Sequence, residues 1–389
     1  MNVRNIVDKI KPTFEKGGKL GFLHSTFDAF ETFMFVPKTV TKSGAHVRDC
    51  VDIKRVMIIM VLALVPAFLF GIWNTGYQHS AAFGLDWGFW NMIWYGLVKI
   101  IPLYLVTYIV GLGIEFTSAQ LRGHEVNEGY LVTGFILPLI VPVDVPLWML
   151  AVATAFAVII GKEVFGGTGM NIWNPALIAR AFLFFSYPSK MSGDSAWVGG
   201  VARYNEAGKA FWVEGHGLVD GFSGATPLAN PDGYSVLHMF LGNIPGSVGE
   251  TSVIAILLGA CIILFTGVAS WKIMVSSVAG GLLVAWLGQI GGASAMEGVT
   301  CWQQLIMGGF LFGSVFMATD PVTSAQTEAG KWIYGFLVGA LAITVRLFNP
   351  GYAEGMMLAI LLMNTFAPPI DHCVISCSIA RNAKKGKIA

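Results

Sequence analysis

The sequence is poor in charged residues and lacks paired cysteines. Lys and Arg number 24, Asp and Glu number 23, and together they make up 12% of the 389 residues. Soluble domains carry about 25% charged residues, so a water-soluble globular protein is excluded. The formal net charge of +1 gives no electrostatic reason to expect a nucleic-acid partner. The five cysteines include no CxxC pair, so no zinc or iron–sulfur site is predicted.

Long apolar stretches fill much of the chain, and apolar residues make up 55% of it. A helix needs about 20 mostly apolar residues to cross a membrane. The sequence therefore predicts an all-α polytopic membrane protein with about ten transmembrane helices, some of them short or interrupted. The apolar stretches are residues 56–73, 95–118, 129–142, 146–161, 173–188, 252–269, 272–291, 303–319, 332–348 and 354–368.

Basic residues concentrate at the two ends of the chain. Ten Lys and Arg precede residue 56, and four more lie between residues 381 and 387. With ten spans both termini lie on one side, and the loops of the other side contain only Lys190, Arg203 and Lys209. The positive-inside rule then places both termini in the cytoplasm. The predicted organisation is a cytoplasmic N-terminal arm (1–55), a first transmembrane half (56–188), an extracytoplasmic loop (189–251), a second transmembrane half (252–370) and a cytoplasmic tail (371–389). The arm either lies on the bilayer or a partner or is a solvated tail.

The two halves contain similar interrupted segments. Five apolar stretches precede the long loop and five follow it, so the second half would be inverted relative to the first. The third stretch of each half is short and interrupted by Gly or Pro: GYLVTGFILPLIVPVD at 129–144 and GGFLFGSVFMATDP at 308–321. Paired interrupted helices in inverted halves indicate a substrate path near the bilayer midplane. Alternatively, the glycines only allow close helix packing.

Three acids fall near the predicted cytoplasmic face. Glu115 ends the second stretch, Asp320 follows the eighth and Asp371 follows the tenth. Carboxylates beside unwound backbone suit a hard cation such as Na⁺, which prefers oxygen ligands. For any single acid, a hydrated carboxylate at the membrane interface is the simpler interpretation.

Two loops carry polar groups that could meet a cofactor. GGTGMNIWN at 166–174 combines flexible glycines with Asn171 and Asn174, whose amides can bind the edge of an isoalloxazine ring. A helix-breaking loop before Pro175 explains the same pattern. DGFSGAT at 220–226 presents the Thr226 hydroxyl in a glycine-rich loop, where a modifying enzyme could reach it. Composition alone would describe that loop as a turn.

The motifs resemble those of the NqrB/RnfD family, to which the membrane subunits of Na⁺-translocating NADH:quinone reductases belong. DGFSGAT is similar to the flavinylation motif of that family, and HEVNEG, KEVFGGTG, NPALIARAFLFFSYP, GNIPGSVGE, MATDPVTSA and YAEGMMLAILLMN occur in the family's order. The resemblance covers residues 40–372. It implies FMN esterified through its phosphate to Thr226, within a motif that includes Asp220, Gly221, Ser223, Gly224 and Ala225.

The resemblance also implies further site residues. Asn171 and Asn174 would contact a non-covalent riboflavin. The quinone region would include Gly111, Glu115, Phe182 and Phe184, and the sodium path would include Glu115, Asp320, Asp371 and the gate residues Phe312 and Phe316. No metal other than transported Na⁺ is expected. The implied partners are the other subunits of a six-subunit complex in the bacterial inner membrane, quinone, lipid and a flavin transferase.

The expected function is electron transfer from FMN to riboflavin and on to quinone, coupled to Na⁺ export. One alternative is an RnfD-like subunit of a ferredoxin:NAD⁺ oxidoreductase. The basic N-terminal arm favours the first interpretation. A secondary transporter would share the inverted halves and the acids but would not need a flavinylation loop. A purely structural anchor would need neither.

Overall fold

The computed structural model describes residues 3–14, 20–21, 24, 27, 31–32, 35, 43–45, 53–122, 129–207, 217–293, 296–349 and 355–386. Within these residues the chain is helical and contains no β-strand. The helices are α1 (Val3–Phe14), α2 (Ile53–Ala82), α3 (Phe89–Arg122), α4 (Tyr130–Ile140), α5 (Leu147–Gly161), α6 (Pro175–Ser186), α7 (Pro188–Met191), α8 (Val201–Ala207), α9 (Val236–Leu241), α10 (Val253–Phe265), α11 (Trp271–Ile290), α12 (Gln303–Ile306), α13 (Phe310–Phe312, continued by a π-turn over Gly313–Met317), α14 (Glu328–Phe348) and α15 (Met356–Gly386). Short 3₁₀ turns span Glu163–Phe165 and Pro231–Gly233.

The membrane character predicted from hydropathy is confirmed. In the part of the chain that the structure describes, six helices are long and apolar enough to cross a bilayer: α2, α3, α5, α11, α14 and α15. Three shorter apolar helices, α4, α6 and α10, accompany them. Each of the ten predicted apolar stretches contains helix. The stretch at 303–319 contains only the short helices α12 and α13 with the π-turn that follows. Helices satisfy their own backbone hydrogen bonds, which an apolar environment requires.

Local sequence signals determine where several helices begin. The Asn174 side chain accepts a hydrogen bond from the Ala176 N–H at the start of α6 (3.0 Å), and Pro175 occupies the first helical position. Proline suits that position because its missing N–H would have no partner inside the helix. Thr327 likewise accepts from the Gly330 N–H at the start of α14 (3.1 Å). Each such cap typically stabilises a helix by about 1 kcal/mol.

Both interrupted segments are irregular in the structure. After α4 the chain becomes extended at Val141. Between α12 and α13 it is extended at Met307, and Gly308 adopts a positive φ of 60°. The Arg346 guanidinium of α14 donates to the carbonyl oxygens of Gln304 and Met307 (2.9 Å for Met307). A cationic side chain therefore satisfies the carbonyls that this break in the helix leaves without helical partners.

Some corresponding helix pairs of the two predicted halves pack together, although α2 packs on α3 in the first half and α10 and α11 form no comparable pair among the described residues. In the first half α3 packs on α5, and α5 packs on α6; in the second, α11 packs on α14, and α14 packs on α15. The interrupted segment of each half contacts the first, second and fifth helices of that half, and α2 packs on α10 between the halves.

Two helices extend well beyond their predicted limits. Helix α2 continues to Ala82, nine residues past the predicted stretch, because its polar end is buried with partners. There the Asn74 Nδ2 donates to the Ile244 carbonyl (3.1 Å), and the His79 Nδ1 lies 2.7 Å from the Gly199 carbonyl oxygen. Helix α15 continues to Gly386, so most of the predicted tail is helical. Residues 387–389 and most of the N-terminal arm lie outside the described residues.

Candidate functional site

A narrow pocket brings together residues from both halves. Lys162, Asn171, Asn174, Phe316 and Asp320 line it, along with Met60 and Ile136. Its cavity volume is about 50 Å³, enough for a few water molecules or a small cation. Residues that lie far apart in sequence are thus grouped at one end of the helical domain, which we call the Glu115 end because Lys162 pairs with Glu115 there.

Asp320 is the acid that faces this pocket. Its carboxylate accepts hydrogen bonds from the Val322 N–H (3.2 Å), the Thr323 hydroxyl (3.0 Å) and the Asn174 side-chain amide (3.4 Å). Among the described residues, no Lys, Arg or His forms an ion pair with it. Asp320 therefore presents a carboxyl group, held by neutral donors, to a pocket large enough for a small cation.

Glu115 is buried and paired. It lies on α3 and forms an ion pair with Lys162, and both side chains are at most 5% exposed. Next to them, the Ser118 hydroxyl donates to the Glu163 carboxylate (2.5 Å), and Arg122 donates to the Glu163 carbonyl (2.9 Å). Glu115 is therefore not a hydrated interfacial carboxylate, because a buried cation neutralises it.

Asp371 lies within α15 and holds the start of α14. Its carboxylate accepts from the N–H groups of Gln326 (2.7 Å) and Thr327 (2.9 Å) and from the Thr327 hydroxyl (2.5 Å). All three bonds tie together two elements of the second half. In the structure Asp371 does not line the pocket that contains Asp320.

The pocket is too small for a flavin ring system. Cofactor pockets typically enclose roughly 300–1,000 Å³. Both asparagine amides are also engaged: Asn174 caps α6, and Asn171 accepts from the Gly169 N–H (3.3 Å) and donates to the Trp173 carbonyl (3.0 Å). The residues as arranged in this chain therefore do not fit riboflavin.

The residues predicted for the quinone region fall into two environments. Gly111 faces the Tyr130 ring so closely that a Cβ at this position would overlap it. The Tyr130 hydroxyl donates to the Thr107 carbonyl (2.7 Å). Phe182 stacks instead on Phe156, with ring centroids 4.8 Å apart, and Phe184 lies edge-on to Phe185 at 5.5 Å.

Phe312 and Phe316 lie where the two interrupted segments meet. Their ring centroids are 5.1 Å apart, and both are fully buried. Gly249 donates its N–H to the Leu139 carbonyl of α4 (2.8 Å), and a Cβ on Gly249 would lie 2.9 Å from the Phe312 ring. Phe316 also lines the pocket beside Asp320. The two rings are therefore buried apolar neighbours of the pocket that contains Asp320.

The DGFSGAT loop lies at the opposite end of the helical domain, which we call the Asp144 end. Lys99 and Glu115 are sixteen residues apart on α3, roughly 24 Å at 1.5 Å per residue, and Lys99 pairs with Asp144 at 2.5 Å. Asp144 also accepts from the Gly200 N–H. Residues 194–202, which we call the platform, contain Gly200 and carry the loop.

Two glycines of the motif are required by its geometry. A Cβ on Gly224 would overlap the Asp194 carbonyl oxygen of the platform. Gly221 adopts a φ of 76°, which L-residues rarely adopt. Thr226 is half-buried, and within the described residues its hydroxyl has no hydrogen-bond partner.

Tyr234 holds the motif from the other side. Its hydroxyl donates to the Ala225 carbonyl (2.9 Å), and the Ser223 hydroxyl accepts from the Ala225 N–H (3.3 Å). Burial, and to a lesser extent the negative charge of Asp194, raise the pKa of Tyr234 above its usual value. The phenol therefore remains a hydrogen-bond donor at physiological pH, and the residue before Thr226 is fixed.

Sequence reasoning did not identify one buried and one partly buried ion pair. Arg180 of α6 pairs with Glu250 at 2.9 Å, and both side chains are 3% exposed. Lys99 and Asp144 form the second pair. The available signal for Asp144 was its place at the end of the first interrupted block, matching Asp320 at the end of the second.

Comparison with known proteins places the chain in a family. The sequence model of the NQR2, RnfD, RnfE family matches residues 40–379. The B subunit of the Na(+)-translocating NADH-quinone reductase of Chromohalobacter salexigens is 42% identical, over 99% of this chain and 97% of the relative. The B subunits of the same enzyme from Ectopseudomonas mendocina and Pseudomonas aeruginosa are each 41% identical, over 98% of this chain and 98% of each relative. The resemblance seen in the motifs is thereby confirmed, and the chain belongs to the NQR2, RnfD, RnfE family.

Proposed function

We propose that this chain is the membrane subunit of a Na⁺-translocating NADH:quinone oxidoreductase that carries electrons toward quinone and couples their transfer to Na⁺ export. The main support is near-full-length identity of 41–42% to relatives named as the B subunit of that enzyme. The helical architecture, with six helices among the described residues that could cross a membrane, is consistent with this role.

The Thr226 hydroxyl is the proposed attachment point for FMN. Its lack of a hydrogen-bond partner within the described residues leaves its oxygen available to form a phosphoester. Gly224 on the platform and Tyr234 at the Ala225 carbonyl hold the backbone around it. These contacts support a fixed acceptor position on an otherwise irregular loop. FMN bound there would supply the redox chemistry, while the chain's own residues determine its position and surroundings.

The Glu115 end is the proposed side of Na⁺ uptake. Asp320 supplies a carboxylate without a cationic partner among the described residues, and Na⁺ prefers such oxygen ligands. Phe312 and Phe316 would act as the barrier between this pocket and the other end. Glu115 and Asp371 belong to the proposed path as positioning residues, because one is paired with Lys162 and the other holds α14.

The two halves are proposed to be inverted repeats around this path. Support comes from the matching helix pairings and from the interrupted third segment in each half. Such halves can alternate between two packings, and a redox-dependent bias on that equilibrium would couple electron transfer to ion movement. In this arrangement residues 56–188 and 252–370 form the halves, and residues 189–251 form the extracytoplasmic flavinylated loop.

Quinone is proposed to bind near Gly111 and Glu115 of α3. The family resemblance also implies Phe182 and Phe184 of α6, which lie in a separate environment in this chain. Riboflavin near Asn171 and Asn174 is an expectation from the family only. Because the pocket there does not fit a flavin, we assign riboflavin no step. We further propose that the chain works in the bacterial inner membrane within a six-subunit complex, surrounded by lipid and modified by a flavin transferase.

An RnfD-like subunit is the alternative from the same family, because the matching family includes RnfD. The names of the relatives that match this chain from end to end favour the quinone reductase. Na⁺-dependent quinone reduction by the purified complex distinguishes the two enzymes.

The deciding experiment replaces the proposed acceptor. Thr226→Ala should abolish flavin fluorescence of the chain on a denaturing gel, while the chain still inserts into the membrane. Ser189→Ala, which removes an exposed hydroxyl outside the motif, is the matched control and should keep a fluorescent band. A fluorescent Thr226→Ala band would refute the attachment site.

A further inference from the structure

The two interrupted segments end in acids at corresponding positions. Asp144 follows the last residue of α4 by four positions, and Asp320 follows the π-turn after α13 by three. Both carboxylates accept a backbone N–H, from Gly200 and from Val322 respectively. The two acids lie at opposite ends of the helical domain, since Asp144 pairs with Lys99 and Asp320 binds Asn174 beside Lys162.

The two acids differ in charge compensation. Asp320 is held by neutral donors, and no cationic side chain among the described residues pairs with it. Asp144 forms an ion pair with Lys99 at 2.5 Å, and both side chains are less than 15% exposed. A cation that reaches Asp320 finds an uncompensated carboxylate, whereas one that reaches Asp144 must compete with a resident ammonium group.

Asp144 also lines a large cavity at its end of the domain. The cavity has a volume of about 670 Å³ and is open to the outside. Its polar lining includes Lys99, Asp144, Lys190, Ser195 and Asn205. A hydrated cation fits such a space easily, because one water accounts for roughly 30 Å³. The cavity therefore exposes the Asp144 carboxylate to water.

We propose that Asp144 is the cation-release site of this chain and that Lys99 drives release by competing with Na⁺ for the Asp144 carboxylate. The proposal rests on the proposed function, which supplies the Na⁺ path. It also accounts for the direction of Na⁺ transport, because Asp320, which has no cationic partner among the described residues, takes up the ion and Asp144, which is paired with Lys99, releases it. Na⁺ can bind Asp144 only in the fraction of molecules in which Lys99 does not occupy the carboxylate, so the ion pair weakens the apparent affinity for Na⁺.

The test measures inhibition by product Na⁺. The purified complex is reconstituted into vesicles with its NADH-oxidising side outward, so that the Asp144 end faces the lumen. Initial rates of quinone reduction are recorded against lumenal NaCl at fixed external NaCl, with choline chloride holding ionic strength constant and an uncoupler removing the membrane potential. The half-inhibitory lumenal Na⁺ concentration is the readout.

The variants move this readout in opposite directions. Lys99→Met should lower the half-inhibitory lumenal Na⁺ concentration by about 5-fold, because Na⁺ is no longer displaced. Asp144→Asn should raise it, because the ligand loses its charge. Lys99→Arg, which keeps a cation, and Lys384→Met, which removes an exposed lysine outside the cavity, should behave like wild type.

A purely structural role for the pair would shift both variants in the same direction or leave both unchanged, and either result overturns the proposal. Half-saturation by external Na⁺ and the fluorescence of bound flavin should stay at wild-type values in all four variants. If wild-type complex shows no Na⁺-dependent quinone reduction, the proposed function fails instead, so the two failures are distinguishable.

Discussion

Asn174 donates its side-chain amide to the Asp320 carboxylate at 3.4 Å and thereby joins the first half of the chain to the second. The same Asn174 caps helix α6 through its carbonyl oxygen. The orientation of Asp320 is therefore set by the start of a helix in the other half. A relative movement of the halves would change the donors around Asp320 and, with them, its affinity for a cation.

Neutralising Asp320 should weaken Na⁺ binding from the Glu115 end. Asp320→Asn keeps the size of the side chain but removes its charge, and lost contacts of a charged group cost about 1–2 kcal/mol, roughly 5- to 30-fold in affinity. The measurement is quinone reduction by the assembled complex against Na⁺ concentration. Glu328→Gln is the matched control, since Glu328 is an exposed acid whose side chain is 67% accessible. Equal half-saturation in Asp320→Asn and wild type would remove Asp320 from the ion path.

The Glu115–Lys162 pair predicts a characteristic double-mutant pattern. Lys162→Met leaves a buried carboxylate without its cation, and breaking one side of a buried pair typically costs about 3–5 kcal/mol. Glu115→Gln with Lys162→Met removes both charges and should recover much of that loss. Thermal unfolding of the detergent-solubilised chain provides the measurement. Additive destabilisation in the double variant would show that the two groups do not depend on each other.

Hydropathy and motif spacing predict the helical membrane architecture, because each of the ten apolar stretches contains helix. Hydropathy and motif spacing do not predict features that depend on contacts with residues far away in the sequence. The sequence predicts a loop for the polar end of α2, which contains Asn74 and His79. In the structure this end is helical, because Ile244 and Gly199 supply hydrogen-bond partners. In the same way, the sequence predicts an interfacial acid at Glu115. In the structure Glu115 pairs with Lys162, which lies 47 residues away in the sequence. Burial and pairing across the fold leave no local pattern in the sequence.

The orientation of the chain can be tested with reporters at two positions. A periplasmically active phosphatase fused at Asn205, an exposed residue of α8, should be active, and one fused after Lys387 should be inactive. The reason is the excess of basic residues at the termini, which favours retention in the cytoplasm. A fluorescent protein that folds only in the cytoplasm should give the complementary result at each position. The reverse pattern would place both Thr226 and Asp144 on the cytoplasmic side and contradict the direction of transport proposed above.

The contact between Gly224 and the platform makes the flavinylation loop sensitive to a single methyl group. A Cβ on Gly224 would overlap the Asp194 carbonyl oxygen, and overpacking of this kind costs about 1–3 kcal/mol. Gly224→Ala should therefore displace Thr226 and lower in-gel flavin fluorescence by about 5-fold or more, at unchanged chain abundance. Gly217→Ala is the control, because its Cβ would meet only the Tyr204 hydroxyl at 3.2 Å, the far end of a side chain that can move. Full flavin incorporation in Gly224→Ala would mean that the flavin transferase recognises the loop without the close contact between Gly224 and Asp194 of the platform. The geometric explanation of the motif would then be wrong.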